Sequence, residues 1–203
     1  MTVVSLESGN SCSDGAVKVE FSDGSSLIIA VDYLGLDAGG QYAGMELSDR
    51  EEEAFRFAAV CYRAEKIALR LIARAEQNSL ALKAKLERRG IDAAAAKAVV
   101  SRLLERNLLN NGRYAELWIS SRLALRNAFS PQWLLIALGK RGIDRDSSLK
   151  ALKKVLDPQT EYALLLRYLE KNHLPEGKKV FSLRAELKYE GFSSAVLNRY
   201  FDN

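Results

Sequence analysis

The chain has 203 residues, of which 48% are apolar, and a formal net charge of +4; this length and composition suit a domain with a buried core. No run of about 18 uncharged apolar residues is present, so the sequence predicts no membrane-spanning helix, and residues 1–10 lack the basic start and apolar centre of a signal peptide. Cys12 and Cys61 have no Cys or His neighbours at ligand spacing, so we expect a reducing compartment, the cytoplasm, with no disulfide framework and no structural zinc.

The net charge is unevenly distributed along the chain. Residues 1–58 hold three basic and eleven acidic residues, a net of −8, whereas residues 59–203 hold 27 basic and 15 acidic residues, a net of +12. A strongly basic helical part favours a polyanionic or acidic partner. The alternative is a well-solvated helical surface, and charge alone does not separate the two.

The N-terminal part has β-strand character. Residues 1–15 are rich in Ser, Gly and Asn, and we expect them to be disordered. Two apolar β-runs at 17–21 and 27–31 flank an Asp-Gly turn and predict a hairpin. Because an isolated hairpin is marginal in water, it must pack on other elements or gain a third strand from residues 3–6. Residues 32–44 are interpreted as a short helix and a loop.

Helical patterns fill the rest of the chain. Ser48 followed by Glu51 forms a capping box that begins the first helix. Pro131 and Pro158 follow Ser130 and Asp157, which is the arrangement expected at a helix start. The predicted helices are 48–76, 80–89, 93–106, 113–127, 131–141, 145–156, 158–172, 178–190 and 194–202.

One helix–glycine–helix corner recurs three times. Gly90, Gly142 and Gly191 are 52 and then 49 residues apart, and a leucine stands eight residues before each. Each glycine is expected to end a helix in the left-handed conformation, with the apolar residue after it folding back on the last turn. The next residue, Asp92, Asp144 or Ser193, is expected to cap the following helix.

The period indicates a mainly α fold of three tandem three-helix repeats that stack into an elongated, curved array. The predicted divisions are an N-terminal tail with a β-hairpin extension at 1–47, and repeats at 48–109, 110–156 and 157–203. Unrelated helical hairpins are the alternative.

No enzyme motif is present, so the candidate functional features are surface charges. Basic pairs precede the first two corner glycines at equivalent positions, whereas the third corner has Tyr189 and Glu190. Such a row can bind phosphates or carboxylates, and Arg does so in bidentate fashion. Trp118, Trp133 and Tyr114 could stack on bases, although helical spacing favours a core role. The candidate contact residues are Arg88, Arg89, Lys140, Arg141, Arg63, Arg70, Arg74, Arg122 and Arg126.

Several segments together resemble the bacterial RecX regulators. The resemblance covers about residues 58–203 and includes Gly90-Ile91, the segment 103–115, the basic segment 120–123 and the segment from Ser130 to Asp144. The family pattern is a Gly-Leu-Leu-Asp-Asp segment before an Arg-Phe-Ala or Arg-Tyr-Ala triplet, then a Gly-Pro or Ser-Pro helix start and a Lys-Gly-Ile/Val corner. This chain departs from it at Asn107, where glycine is usual, and at 110–111, where acidic residues are common.

The resemblance implies a non-enzymatic modulator of the RecA recombinase without a cofactor. Family members bind RecA and its filaments on DNA, generally restrain strand exchange and ATP hydrolysis in recombinational repair, and can bind DNA. The alternative is a non-specific DNA-binding helical repeat protein that affects recombination only indirectly. A third hypothesis is a scaffold whose acidic N-terminal hairpin docks another protein; deleting residues 1–46 would then matter. We expect a monomer with no membrane association.

Overall fold

A computed structural model of the chain describes residues 2–7, 16–34, 42–125, 128–172 and 180–202. The chain forms two compact units, Met1–Leu109 and Asn110–Asn203. Within the described ranges the fold is mainly helical with one small antiparallel sheet, which confirms the predicted mainly α class. The division into three repeats stays a prediction.

The sheet of the first unit has three strands in the order β1 (Val3–Glu7), β2 (Ala16–Phe21) and β3 (Ser26–Ala30). The predicted hairpin is confirmed, and Gly24 takes a φ of +82° in its turn. The third strand comes from the expected segment, so the prediction of disorder was wrong for residues 2–7. The reason is that Val3 is fully buried and that β1 gains a ladder on β2. Residues 8–15 lie outside the described residues.

The sheet packs on the first long helix. A short 3-10 helix, Val31–Tyr33, follows β3, as the sequence predicted; residues 35–41 of the predicted loop lie outside the described residues. Val19, Phe21 and Ile29 of the sheet form a buried cluster with Phe55, and the Phe21 and Phe55 rings meet edge to face at 6.2 Å. The N-terminal extension therefore shares its hydrophobic core with the helices that follow it.

The described part of the first unit also contains three α-helices: α1 (Asp49–Arg74), α2 (Ser79–Glu87) and α3 (Ala93–Glu105). The predicted capping box is confirmed, because Ser48 and Glu51 exchange both bonds at the start of α1. The buried stripe of α1 contains Cys61 among small alanines, which lets α3 pack close to it. Burial raises the pKa of the Cys61 thiol to about 11, so this cysteine is a neutral core residue.

The second unit contains six helices among the described residues, close to the predicted bounds. One boundary was wrong: the helix expected to reach residue 127 ends at Ala124, and Leu125 is extended. Ser120 and Ser121 bond their hydroxyls to the carbonyls of Glu116 and Trp118, which weakens the end of a helix by competing for its backbone acceptors. The helices are α4 (Asn111–Ala124), α5 (Pro131–Gly139), α6 (Arg145–Val155), α7 (Pro158–Lys171), α8 (Val180–Tyr189) and α9 (Ser194–Phe201).

The three corners have the same hydrogen-bond pattern. Gly90, Gly142 and Gly191 have φ values of +77°, +74° and +88°. In each corner the glycine amide donates to the carbonyl three residues back, and the next amide donates to the carbonyl five residues back, at 3.2 Å in all three. This is the complete Schellman stop. The predicted caps at Asp92, Asp144 and Ser193 are confirmed.

No helix in the described ranges combines the length and the apolar character that crossing a membrane requires.

Candidate basic surfaces

The first two corners hold their arginines in the same way. In each, the arginine amide bonds to the carbonyl three residues back, and the guanidinium reaches the carbonyl four residues back. Arg89 Nη1 donates to the Lys85 carbonyl at 2.9 Å, and Arg141 Nη1 donates to the Ala137 carbonyl at 2.7 Å. The positive charge of each guanidinium also interacts favourably with the negative C-terminal end of the helix dipole. The two arginines are therefore anchored at their helix ends by the backbone.

In the first unit, Arg89 joins two arginines of α1. Arg70, Arg74 and Arg89 line one shallow cleft of about 160 Å³, whose apolar floor is formed by Ile67 and Leu71. All three arginine side chains are exposed. None of them makes an ion pair with a described residue. Three cations on one cleft repel one another, so the cleft favours an anion.

The other two candidates of the first unit lie elsewhere. Arg63 is exposed and lines a different groove, between α1 and β3. Arg88 is the exposed C-cap residue of α2 and does not line the cleft of Arg70, Arg74 and Arg89. The five arginines that the sequence grouped together thus divide into one cluster of three and two separate residues.

In the second unit, two candidate arginines pack on one tryptophan. The guanidinium carbon of Arg141 lies 4.4 Å from the ring centroid of Trp118, and that of Arg122 lies 5.1 Å from it. Both side chains are half-buried, and the Arg122 Nε is buried without a hydrogen-bond partner among the described residues. These cation–π contacts stabilise the second unit and leave less of each guanidinium for a partner.

The remaining candidates of the second unit differ in availability. Lys140 is an exposed C-cap residue. Arg126 lies outside the described residues. Lys154, on α6, is bound to Glu116 at 2.7 Å, so part of the nearby basic charge is compensated.

The aromatic residues form a stacked row in the second unit. Phe129 stacks on Trp133 with ring centroids 4.1 Å apart, and Trp133 stacks on Trp118 at 6.2 Å. Trp118 is buried, as the core interpretation predicted, whereas Trp133 is 42% exposed. Trp133 also lines a groove of about 450 Å³ with Phe129, Ile136, Tyr168 and Tyr189.

A cluster that the sequence did not indicate joins the N-terminal extension to the helices. Arg102 on α3 forms an ion pair with Asp32 and lies 4.8 Å from the ring centroid of Tyr33. The Tyr33 hydroxyl donates to Glu65 on α1 at 2.5 Å, and Arg106 binds Asp32 at 3.1 Å. Burial, and then the bond to Glu65, raise the pKa of Tyr33, so it is a neutral donor.

No spacing signal could have found this cluster. Asp32 and Arg106 are separated by 74 residues. Each residue of the cluster, taken alone, is of a type that is common on the surface of a loop or helix. The cluster and the shared apolar core together make the extension part of the first unit.

Known proteins named regulatory protein RecX are similar to this chain in sequence. The regulatory protein RecX of Treponema pallidum (strain Nichols) is 33% identical over 156 residues, which span 77% of this chain and 94% of that protein. The chain belongs to the RecX family of regulatory proteins. The regulatory protein RecX of Pseudomonas tolaasii is 29% identical over 136 residues, which span 66% of this chain and 86% of that protein.

Two solved RecX structures have the same fold. A crystal structure of a regulatory protein RecX aligns with a TM-score of 0.64 at 17% identity, over 100% of this chain and 99% of that one. The crystal structure of RecX from Lactobacillus salivarius aligns with a TM-score of 0.51 at 19% identity, over 69% of this chain and 93% of that one. No model of a protein family matches the chain.

Asn107, where the family pattern led us to expect a glycine, has the backbone conformation that a glycine would adopt there. Its φ is +55°, the left-handed region. The Leu108 amide donates to the Leu103 carbonyl at 3.0 Å, so Asn107 ends α3 as the corner glycines end theirs. Asn is the residue other than glycine that best tolerates this conformation.

Proposed function

We propose that this protein regulates the RecA recombinase without catalysing a reaction of its own. It binds RecA and the RecA filament on DNA, and it mostly inhibits strand exchange and ATP hydrolysis during recombinational repair. RecX membership carries this proposal. The protein acts in the cytoplasm as a monomer.

The arginine cleft of the first unit supports an anionic partner. Arg70, Arg74 and Arg89 converge on one depression without a described acidic partner, and guanidinium groups bind phosphates and carboxylates in bidentate fashion. A RecA filament on DNA offers both kinds of group. We assign this cluster the main anionic contact of the first unit, with Arg63 and Arg88 as flanking charges.

Lys140 is the candidate of the second unit best able to reach a partner, because it is exposed at a corner. Arg122 and Arg141 contribute through their remaining exposed surface while holding Trp118. Arg126, between α4 and α5 in the chain, is assigned to the same contact from the sequence. Contacts spread over several helices would gain from avidity.

The test is a titration of the purified protein into RecA filaments on single-stranded DNA, with ATP hydrolysis as the readout. Binding to naked DNA is measured in the same buffer. Suppression of hydrolysis at concentrations too low to coat naked DNA is the expected result. If hydrolysis falls only as far as competition for DNA explains, the proposal fails.

A second function has support from the same cluster. Three uncompensated arginines would also serve a non-specific DNA-binding protein that affects recombination only indirectly. That function predicts tight binding to naked DNA with a steep salt dependence, and an effect on hydrolysis that parallels DNA occupancy.

The third hypothesis is that the N-terminal extension docks another protein. Its test requires a substitution on the surface of the extension and not a deletion of the extension. Deleting residues 1–46 would remove the partners of Phe55, which is fully buried, and would leave Arg102 without Asp32. Such a deletion would destabilise the first unit, so a loss of function after it would be ambiguous.

A further inference from the structure

The two edge strands of the N-terminal sheet, β1 and β3, differ in their backbone hydrogen bonding. Along β1, the Val3 amide donates to the Met45 carbonyl at 3.0 Å and the Gly44 amide donates to the Val3 carbonyl at 2.8 Å. An isolated bridge between Thr2 and Glu46 extends this cover. β3 pairs with β2 on one side, and no described residue adds a ladder to its other side.

The outer edge of β3, beside α1, carries none of the sequence features that usually block the addition of a strand. Natural sheets blunt exposed edges with lysines, prolines, bulges or inward charges. The sequence of β3, Ser-Leu-Ile-Ile-Ala, has none of these residues, and its register with β2 is regular over all five residues. Ile28 is 43% exposed. An apolar, regular edge of this kind is a template for another strand.

A groove of about 460 Å³ runs beside this edge. One wall contains the consecutive residues Ser26, Leu27 and Ile28, and the other contains Val60 and Arg63 of α1. Because successive side chains of a strand point to opposite faces, three consecutive residues can share one groove only along the strand edge. The groove therefore presents backbone hydrogen-bonding groups together with apolar surface.

The charges around the groove are polarised. Arg63 is exposed and makes no ion pair with a described residue. Arg56, two helical turns earlier, is bound to Glu52 at 2.6 Å. A separate depression of about 190 Å³ shares Leu27 and Arg56 with the groove and includes Asp23 and Glu52. The uncompensated positive charge thus lies at the Arg63 end.

We propose that the β3 edge and the α1 wall form a docking site for an extended segment of a partner protein, which adds a fourth strand to the sheet. Main-chain hydrogen bonds provide affinity and side-chain pockets provide specificity in this mode of recognition. The segment carries apolar residues over Leu27 and Val60 and a carboxylate at the Arg63 end. This site shares Arg63 with the flanking charges of the proposed function, but it contains none of the residues of the arginine cleft.

The test begins with a selection of peptides from a random library for binding to the full-length protein. Each peptide is about 12 residues long, which spans a strand of ordinary length and its flanks. We expect enrichment of alternating apolar sequences with an acidic residue near one end. The best peptide is then measured by fluorescence anisotropy, and its site is mapped by amide chemical shifts. The expected shifts centre on residues 26–28.

One test variant and two controls make the result specific. Arg63→Gln should weaken the selected peptide about five- to tenfold, because one charge-assisted contact is lost. Arg50→Gln, an exposed arginine of the same helix outside the groove, should leave affinity unchanged. A peptide with the same side chains and N-methylated backbone amides should lose most of its affinity, because it cannot form the ladder.

The site is overturned if no peptide is enriched, if enriched peptides bind the Arg63→Gln protein equally well, or if the N-methylated peptide binds as well as the parent peptide. Self-association of the protein through β3 in place of peptide binding, seen as amide shifts at 26–28 that grow with protein concentration, would also overturn it. The edge would then be an interface between copies of this chain.

Discussion

The guanidinium of Arg141 lies over the ring of Trp118 at 4.4 Å while its Nη1 donates to the Ala137 carbonyl at 2.7 Å. Arg141 therefore connects the end of α5 to α4. We expect Arg141→Gln to lower the free energy of unfolding by about 1–2 kcal/mol, because it loses a cation–π contact and a charge-assisted hydrogen bond. Urea unfolding followed by tryptophan fluorescence measures this loss.

Lys140→Gln is the matched control, and it should change stability by less than about 0.5 kcal/mol because the side chain is exposed. A double-mutant cycle with Trp118→Leu should give a coupling energy of about 0.5–2 kcal/mol for Arg141 and Trp118. Equal effects of the two corner substitutions would show that Arg141 has no special structural role.

The third corner packs more tightly than the first, and alanine substitutions measure the difference. A Cβ added at Gly191 would lie 3.1 Å from the Gln132 amide nitrogen and 3.3 Å from the Pro131 Cβ, whereas one at Gly90 would meet nothing within 4 Å. Both glycines have positive φ, so Gly90→Ala should cost about 1–2 kcal/mol from backbone strain alone. Gly191→Ala should cost at least about 1 kcal/mol more from the clash.

Thermal and urea unfolding of the two glycine variants provide the comparison. The Gln132 amide also donates to the Glu190 carbonyl at 2.9 Å, so an outward shift of the corner would break this bond. If Gly90→Ala and Gly191→Ala destabilise equally, the corner accommodates the methyl group without a clash.

The free energy of unfolding should decrease in acid because the aspartates that cap helices become protonated. The bonds that Asp144 accepts from Ser147 hold the pKa of this carboxyl below its usual value, which is about 3.9 in an unfolded chain. A carboxyl with a lowered folded pKa stabilises the protein above the unfolded pKa, and that contribution is lost as pH falls through the folded pKa. We expect the free energy of unfolding to decrease from about pH 5 downwards.

Asp144→Asn isolates this effect, because Asn is an equally good cap but does not titrate in this range. The acid-induced loss of stability should be smaller in the variant, as measured by urea unfolding at several pH values. Asp157, whose pKa is lowered by bonds from Thr160 and Gln159, should behave in the same way. Parallel pH profiles for the variants and the parent protein would contradict the prediction.

Neutralising the arginine cleft should change the salt dependence of DNA binding. If Arg70, Arg74 and Arg89 each contact one phosphate, their joint replacement by Gln should reduce the slope of log K against log salt by about 2 on single-stranded DNA. The control replaces three exposed cations elsewhere with Gln: Arg50, Lys97 and Arg145.

Fluorescence anisotropy of a labelled oligonucleotide at several salt concentrations gives both slopes. The control variant has the same net charge, so it reports the effect of long-range charge alone. Identical slopes for the two triple variants would show that the cleft does not bind the nucleic-acid backbone.

Local signals predicted most of the helical architecture. Gly90, Gly142 and Gly191 with their following apolar residues specify Schellman stops, and Asp92, Asp144 and Ser193 specify the next caps, because each device involves residues within one or two turns. Residues 1–15 were expected to be disordered because of their Ser, Gly and Asn content, and a third strand from residues 3–6 was only one of two ways to support the hairpin. The order of β1 depends on Val3, which is buried only when the sheet packs on α1.

In the candidate site, too, the sequence predicted local features but not contacts between distant residues. Sequence spacing predicted that Arg89 and Arg141 occupy equivalent corners, and their bonds to the carbonyls four residues back are equivalent. Spacing along the chain did not predict that Arg89 would join Arg70 and Arg74, or that Arg141 would pack on Trp118, because each grouping joins different helices. Nor could it distinguish buried Trp118 from half-exposed Trp133.

The sequence by itself determined most helix boundaries, the mainly α class and the resemblance to RecX, because these depend on short-range hydrogen bonds and on motif order. Only the tertiary structure decided which cations share a surface, that the N-terminal extension packs into the first unit with Asp32 paired to Arg102, and that the outer edge of β3 pairs with no described strand. Those properties depend on contacts between residues far apart in the chain, and no local pattern encodes them.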